Sequence, residues 1–196
     1  MKDKKYLHSE VSEASEVLHL KMWEGTIFDY PFDGYAGTLS GGTGTPVPSS
    51  SGFDFVAAST QYIDIGTGPT SVKTVSLWIK QDDVSGNEYP IDLNGTDYLS
   101  IESGVVTVNG FTDAALYVNG AVGETGVTTI AALTWSHIAI TDTTASNASD
   151  LDIGRADIGP AVYYDGLISD VRLYSLVRTA ANIADLYNQT RWRYGV

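Results

Sequence analysis

The sequence predicts an all-β fold, an antiparallel β-sandwich of two packed sheets, with a short C-terminal helix and an N-terminal extension of different character. Three observations predict it. From residue 53 to residue 175, apolar and polar positions alternate in many short runs, the period-two pattern of half-buried strands. Between the runs stand Gly66-Thr-Gly-Pro69, Ser85-Gly-Asn87, Asn94-Gly95, Asn109-Gly110, Asn119-Gly120 and Asp165-Gly166, which supply the positive φ that hairpin turns require. Helical spacing is confined to the two ends of the chain, so no helix separates strands as a parallel sheet would need.

Taken in order, the chain begins with Leu7, Val11, Ala14 and Leu18 at helical spacing and Glu10, Glu13 and Glu16 on another face, which predicts a short amphipathic helix over residues 2–18. Residues 1–16 are set apart as an arm, and residues 17–196 form the sandwich domain. Leu7, Val11, Ala14 and Leu18 are the candidate contacts to a neighbouring copy or another protein. The Gly, Ser and Pro density from Gly37 to Gly52 predicts a long surface loop. Strands are expected at Phe53–Ala57, Gln61–Ile65, Val72–Gln81, Glu88–Leu93, Asp97–Glu102, Val105–Phe111, Ala115–Val118, Thr128–Leu133, Trp135–Thr141 and Leu151–Ile153. The stretch Ala161–Ser175 reads as a buried hairpin turning at Asp165-Gly166. Its second run places Val171 and Leu173 on one face and Ile168 and Tyr174 on the other, so it needs apolar cover on both sides. Thr179 can cap a helix whose apolar face is Ile183, Leu186 and Tyr187. The closing RWRYGV reads as a packed terminus, with a docking tail as the rival. Trp78 and Trp135 are expected in the core.

At 196 residues, with 43% hydrophobic content, the chain is long enough to bury a substantial core. A net charge of −13 argues against partners held through phosphates, so nucleic acid and anionic membrane are the first excluded. Without cysteine there is no disulfide framework and no thiolate metal site. The first twenty residues lack the apolar run of a secretory signal, and no stretch approaches the roughly 20 apolar residues of a spanning helix.

With the strands laid out, the segments GFDFVAASTQYIDIG, KTVSLWIK, ALYVNG, LTWSHIAIT, LDIGR and YYDGLISDVRLYS, followed by a helix ending in ADLY, resemble the concanavalin A-like lectin/glucanase superfamily. More narrowly they resemble its laminin-G-like jelly-roll branch, from about Val17 to Tyr187. One departure stands out: Tyr117-Val-Asn-Gly120 precedes the tryptophan strand Trp135–Thr141, the reverse of the usual order. That order resembles variants in structural proteins of tailed phages and other virions. The resemblance implies a noncatalytic structural or adhesive module in several copies, displayed on a virion surface after synthesis in a host cytoplasm. Its partners would be other virion proteins or copies of itself, as a homo-oligomer. The alternative is a lectin domain binding cell-surface glycan, with or without calcium, reaching the cell exterior by a non-classical route.

The glucanase branch carries its acids as Glu-x-Asp-x-x-Glu on one strand, and that motif is absent here, which places a glycan-active enzyme a distant third. His8, His19 and His137 do not sit at ligand spacing, and His137 is expected as a hydrogen-bonded structural residue. The resemblance implies that Ca²⁺, where bound, is held by Asp29, Asp33, Asp165 or Asp170, hard oxygen donors in family-like segments. Turn geometry alone also accounts for Asp33 and Asp165. For sugar, an aromatic platform is required, and Tyr163, Tyr164 and Trp192 are the candidates.

Overall fold

The computed structural model describes residues 15–27 and 34–196. In chain order the first strands are β1 (Glu16–Leu20), β2 (Thr38–Ser40), β3 (Val47–Ser49), β4 (Gly52–Phe55), β5 (Tyr62–Gly66) and β6 (Val72–Gln81). There follow β7 (Asn87–Asp92), β8 (Tyr98–Glu102), β9 (Val105–Asn109), β10 (Ala115–Val118), β11 (Ala121–Gly123) and β12 (Ser136–Ser146). The chain closes with β13 (Leu151–Ile153), β14 (Arg155–Ala156), β15 (Val162–Tyr163), β16 (Gly166–Tyr174) and the helix α1 (Ala180–Thr190). A large sheet runs β11-β10-β12-β6-β16-β4-β3, with β1 also on β16, and a small sheet runs β2-β5-β13-β7-β8-β9. All the pairings are antiparallel, so the chain is the expected two-sheet sandwich.

Alternation builds the core. Leu77 and Ile79 of β6, Ile138 and Ile140 of β12, Ile63, Ile91, Leu99 and Ile153 of the small sheet all point between the sheets. The two-residue turn joining β10 to β11 is Asn119-Gly120, both at positive φ, with Val118 opposite Ala121. Its backbone twist matches that of the strands it joins.

Strand β16 organises the large sheet. One edge pairs with β6 from Gly166↔Gln81 to Tyr174↔Thr74. The other edge is divided, Gly166–Ile168 pairing with β4 and Val171–Tyr174 with β1. Between Ser169 and Arg172 the register against β6 shifts, a bulge in which Asp170 takes the left-handed conformation at φ 48. The shift changes the phase of alternation, so Ile168 joins Val171 and Leu173 in the core rather than sharing a face with Tyr174.

The Asp170 carboxylate is buried at this joint. It accepts from His19 Nε2 at 2.7 Å and from Arg172 Nε at 2.8 Å, while Glu16 lies 3.5 Å from His19 Nδ1 and 3.4 Å from Arg172 Nη1. Burial opposes charge on both partners, but the surrounding counter-charges prevail. The His19 pKa is raised by the Asp170 and Glu16 carboxylates, and that of Asp170 is held well below the usual carboxylate range by Arg172 and His19.

The outer face of the large sheet is closed by α1 and the residues after it. Thr179 caps the helix through a reciprocal pair with Asn182, and Ile183 and Leu186 are buried beneath it. Trp78, 1% exposed, stacks on Tyr194 at 4.2 Å and Tyr187 at 5.7 Å, and its indole N–H donates to Thr190 Oγ1. His137 Nε2 lies 2.9 Å from Ser76 Oγ, and burial lowers its pKa to about 4, leaving a neutral structural imidazole. Tyr194 makes RWRYGV a packed terminus, although Trp192 within it is 69% exposed.

Five expectations are corrected. Residues 16–18, expected to end a helix, begin strand β1, and Leu18 lies in this chain's own core, where no partner reaches it. Pairing with β16 outweighs their helical spacing; Leu7, Val11 and Ala14 lie outside the described residues. The stretch 37–52 holds β2 and β3, three-residue edge strands that survive on the ladder of β5 and β4. Tyr163 and Tyr174 do not share a hairpin: β15 turns back onto β14. Residues 128–133 form no strand of their own and instead cover the outer edge of β9, where Thr129 bridges Val105. Trp135 is half-buried, resting on Tyr194 at 4.6 Å at the margin of the helix-covered face.

Replacing Asp170 by Ala leaves His19 and Arg172 facing each other without their shared carboxylate, and urea denaturation should show a loss of ~3–5 kcal/mol. Trp78→Ala should lose a similar ~3–5 kcal/mol through the void it opens, whereas Trp192→Ala should change stability by less than about 0.5 kcal/mol.

Candidate functional site

Among the described residues, no helix lies over the outer face of the small sheet. In β5 and β13 the isoleucines point inward, so Tyr62, Asp64 and Asp152 point outward. Registry aligns them: Asp152 lies directly opposite Asp64 on one neighbour and Asp92 on the other. Like charges side by side are unfavourable, and each of the two inner carboxylates has its own compensation. Asp92 accepts the backbone N–H groups of Asn94 at 3.0 Å, Gly95 at 2.7 Å and Asp157 at 2.9 Å, which ties two loops to the sheet. Asp152 is clamped by Arg155, whose Nε donates to Oδ2 at 2.7 Å and whose Nη2 donates to the same oxygen.

Arg155 in turn lies over Tyr62, its guanidinium carbon 3.9 Å from the ring centre. Tyr163, directly opposite Arg155 in the β14–β15 ladder, sits with its ring 6.3 Å from that of Tyr62. The result is a half-exposed tyrosine pair around a fixed guanidinium, beside a row of carboxylates. One feature of the row is unusual: Asp152 is fully buried, yet its Oδ1 has no hydrogen-bond partner. Burial pushes its carboxyl above the usual range against the pull of Arg155, with Asp150 and Asp64 adding repulsion.

Of the residues expected to contact sugar, Tyr163 alone belongs to this face. Tyr164 is buried in the core edge-on to Phe55, because successive residues on a strand point to opposite sides. Trp192 stands with the C-terminal residues beyond α1, on the other side of the sandwich, its indole donating to Gln189 O at 2.8 Å. Tyr62, Asp64, Asp152 and Arg155 were not anticipated. The signal was present in Tyr62-Ile-Asp-Ile65 and Leu151-Asp-Ile-Gly-Arg155, which alternate aspartate with isoleucine, but the register that sets the two runs side by side is not visible in either.

Of the four calcium candidates, the structure describes Asp165 and Asp170. Asp170 is enclosed by His19 and Arg172, two cations where a metal would require oxygen donors. Asp165 accepts from Ala57 N at 3.2 Å and donates its own N–H to Glu88, so it holds the corner before β16. A Cβ at the next residue, Gly166, would run into the Lys80 carbonyl, which explains the glycine. Asp29 and Asp33 lie outside the described residues. Among the described residues no three His, Asp or Glu side chains are grouped to hold a metal ion. The described residues likewise contain no helix long and apolar enough to cross a membrane.

No family model matches the chain, and no curated protein matches it significantly. Solved structures do. Domain 4 of AbnA, an extracellular arabinanase of Geobacillus stearothermophilus solved in complex with arabinotriose, is similar over 90% of this chain and 100% of that domain, with TM-score 0.60 and 16% identity. The botulinum neurotoxin serotype C1 binding domain is similar over 89% of this chain, with TM-score 0.52 and 16% identity. The binding domain of botulinum neurotoxin DC in complex with SialylT is similar over 90%, with TM-score 0.50 and 12% identity. This chain spans about half of each toxin domain, 52% in both. The fold is therefore shared with these domains, the all-β two-sheet antiparallel sandwich with a C-terminal helix that the sequence predicts.

Among the described residues, no cation stands against Glu88, which lies beside Asp165. Burial pushes its carboxyl from an ordinary 4.5 up to about 7; the Asp165 N–H opposes this, and the carboxylates of Asp165, Asp83 and Asp82 reinforce it. The folded protein thus keeps a proton that the unfolded chain releases between those values. Stability should fall as pH rises across that window and level off above it. Thermal melts of Glu88→Gln should lose that part of the slope, and an unchanged slope would place the proton elsewhere.

Proposed function

We propose that this chain is a noncatalytic carbohydrate-binding module whose ligand lies on the outer face of the small sheet, across Tyr62, Tyr163 and Arg155. The observation that carries it is the Tyr62–Arg155–Asp152 arrangement. A sugar presents C–H faces that pack on aromatic rings and hydroxyls that need a few fixed donors and acceptors. Here the tyrosines supply the rings, Arg155, held in place by the buried Asp152, the donors, and the half-exposed Asp64 carboxylate the acceptor, all on sheet strands that hold them rigid. The arabinanase domain, matched over its whole length and solved in complex with arabinotriose, supports a glycan as the class of ligand. The virion setting and the homo-oligomer rest on strand order and on residues 1–18, and the proposal is confined to what this sheet face carries.

A glycan array probed with the whole chain tests it. Tyr62→Ala and Tyr163→Ala should each weaken retention by about tenfold or more, as truncation of an aromatic anchor does, while the melting temperature stays within a few degrees of the parent's. Retention by both variants equal to the parent's would contradict the proposed site.

A further inference from the structure

We infer that the Tyr62–Arg155 site selects neutral glycans and turns away acidic ones, a specificity that rests on the carbohydrate-binding function proposed above. A site for sialate, uronate or sulfate needs a guanidinium or ammonium free to face the anion, most often a guanidinium presenting two parallel N–H groups. In this site the one guanidinium is already engaged. Arg155 directs Nε and Nη2 into the protein, onto Asp152 Oδ2, and Asp157 stands 3.9 Å from Nη2. Its charge is matched before any ligand arrives.

Among the described residues, the other charges beside Arg155 are negative. Asp64 lies opposite Asp152 in the next strand, and Asp150 is close enough to both Asp152 and Asp92 to repel their charged forms. An incoming anion therefore meets a neutralised Arg155 pair flanked by Asp64, Asp150 and Asp157, and is repelled.

Matched probes on one array test this: lactose against sialyllactose, xylan oligosaccharides without and with glucuronate side groups, and methyl-esterified against free oligogalacturonate. The whole chain is used at about pH 8, where the carboxylates are ionised. In every pair that binds, the neutral member should bind about tenfold or more tightly, a ratio that narrows in about 0.5 M NaCl and in Asp64→Asn because it is electrostatic. An acidic member that binds as tightly as its neutral counterpart, and is lost in Tyr62→Ala, would overturn the selectivity while leaving the carbohydrate-binding function standing. Binding of no probe in any pair would overturn both.

Discussion

One buried carboxylate fixes how the large sheet is put together. Strand β16 must offer a single edge to two partners, β4 at one end and β1 at the other, and the bulge at Asp170 is where one gives way to the other. A residue in the left-handed region costs free energy unless it has a short polar side chain that is held locally. Asp170 meets that condition through His19, Arg172 and the bulge itself. The same contact draws the N-terminal strand into the sheet, since His19 belongs to β1. Arg193, at 3.8 Å from Asp170, brings the C-terminal residues to the same point.

From that joint the two outer faces of the sandwich diverge. The large sheet uses its outer face for structure, with Trp78, His137 and Ser76 sealed under α1 and Tyr194. Among the described residues no helix covers the small sheet, and its outward residues are polar or amphipathic: Tyr62, Asp64, Asp152 and, facing Tyr62, Arg155. Burying an ion pair there adds little to stability in itself, because desolvation offsets attraction. Its effect is positional, holding a guanidinium over an aromatic ring at the surface. The large sheet is thus sealed on its outer face, while the small sheet leaves Tyr62, Asp64 and Tyr163 half-exposed, the face to which the proposed glycan contact is assigned.

Much of this was legible in the residues themselves. Alternation over Val72–Gln81 and Ala115–Val118, the Asn119-Gly120 turn and the Thr179 cap all stand where local patterning puts them, because period and turn chemistry are local properties. Strands β2 and β3 were illegible for the opposite reason. Three residues among glycine and serine carry no periodic signal, and only a neighbour's free ladder makes them strands. Helical spacing misled at Val17 and Leu18, where tertiary pairing overrode a weak local preference. The candidate site was the least visible part, because Tyr62 and Asp152 meet only through the β5–β13 register, and Tyr163 and Arg155 only through the short β14–β15 ladder.

The most direct measurement is a backbone amide NMR titration of the isotope-labelled chain with the neutral oligosaccharide it retains best. Bound sugar changes the environment of the nearest amides and leaves rigid, distant strands alone. The account predicts that shifts concentrate at Tyr62–Asp64, Asp152–Arg155 and Tyr163, with α1 and the Trp78 region unmoved. Shifts confined to residues around Trp192 and α1, with Tyr62 and Arg155 silent, would contradict it.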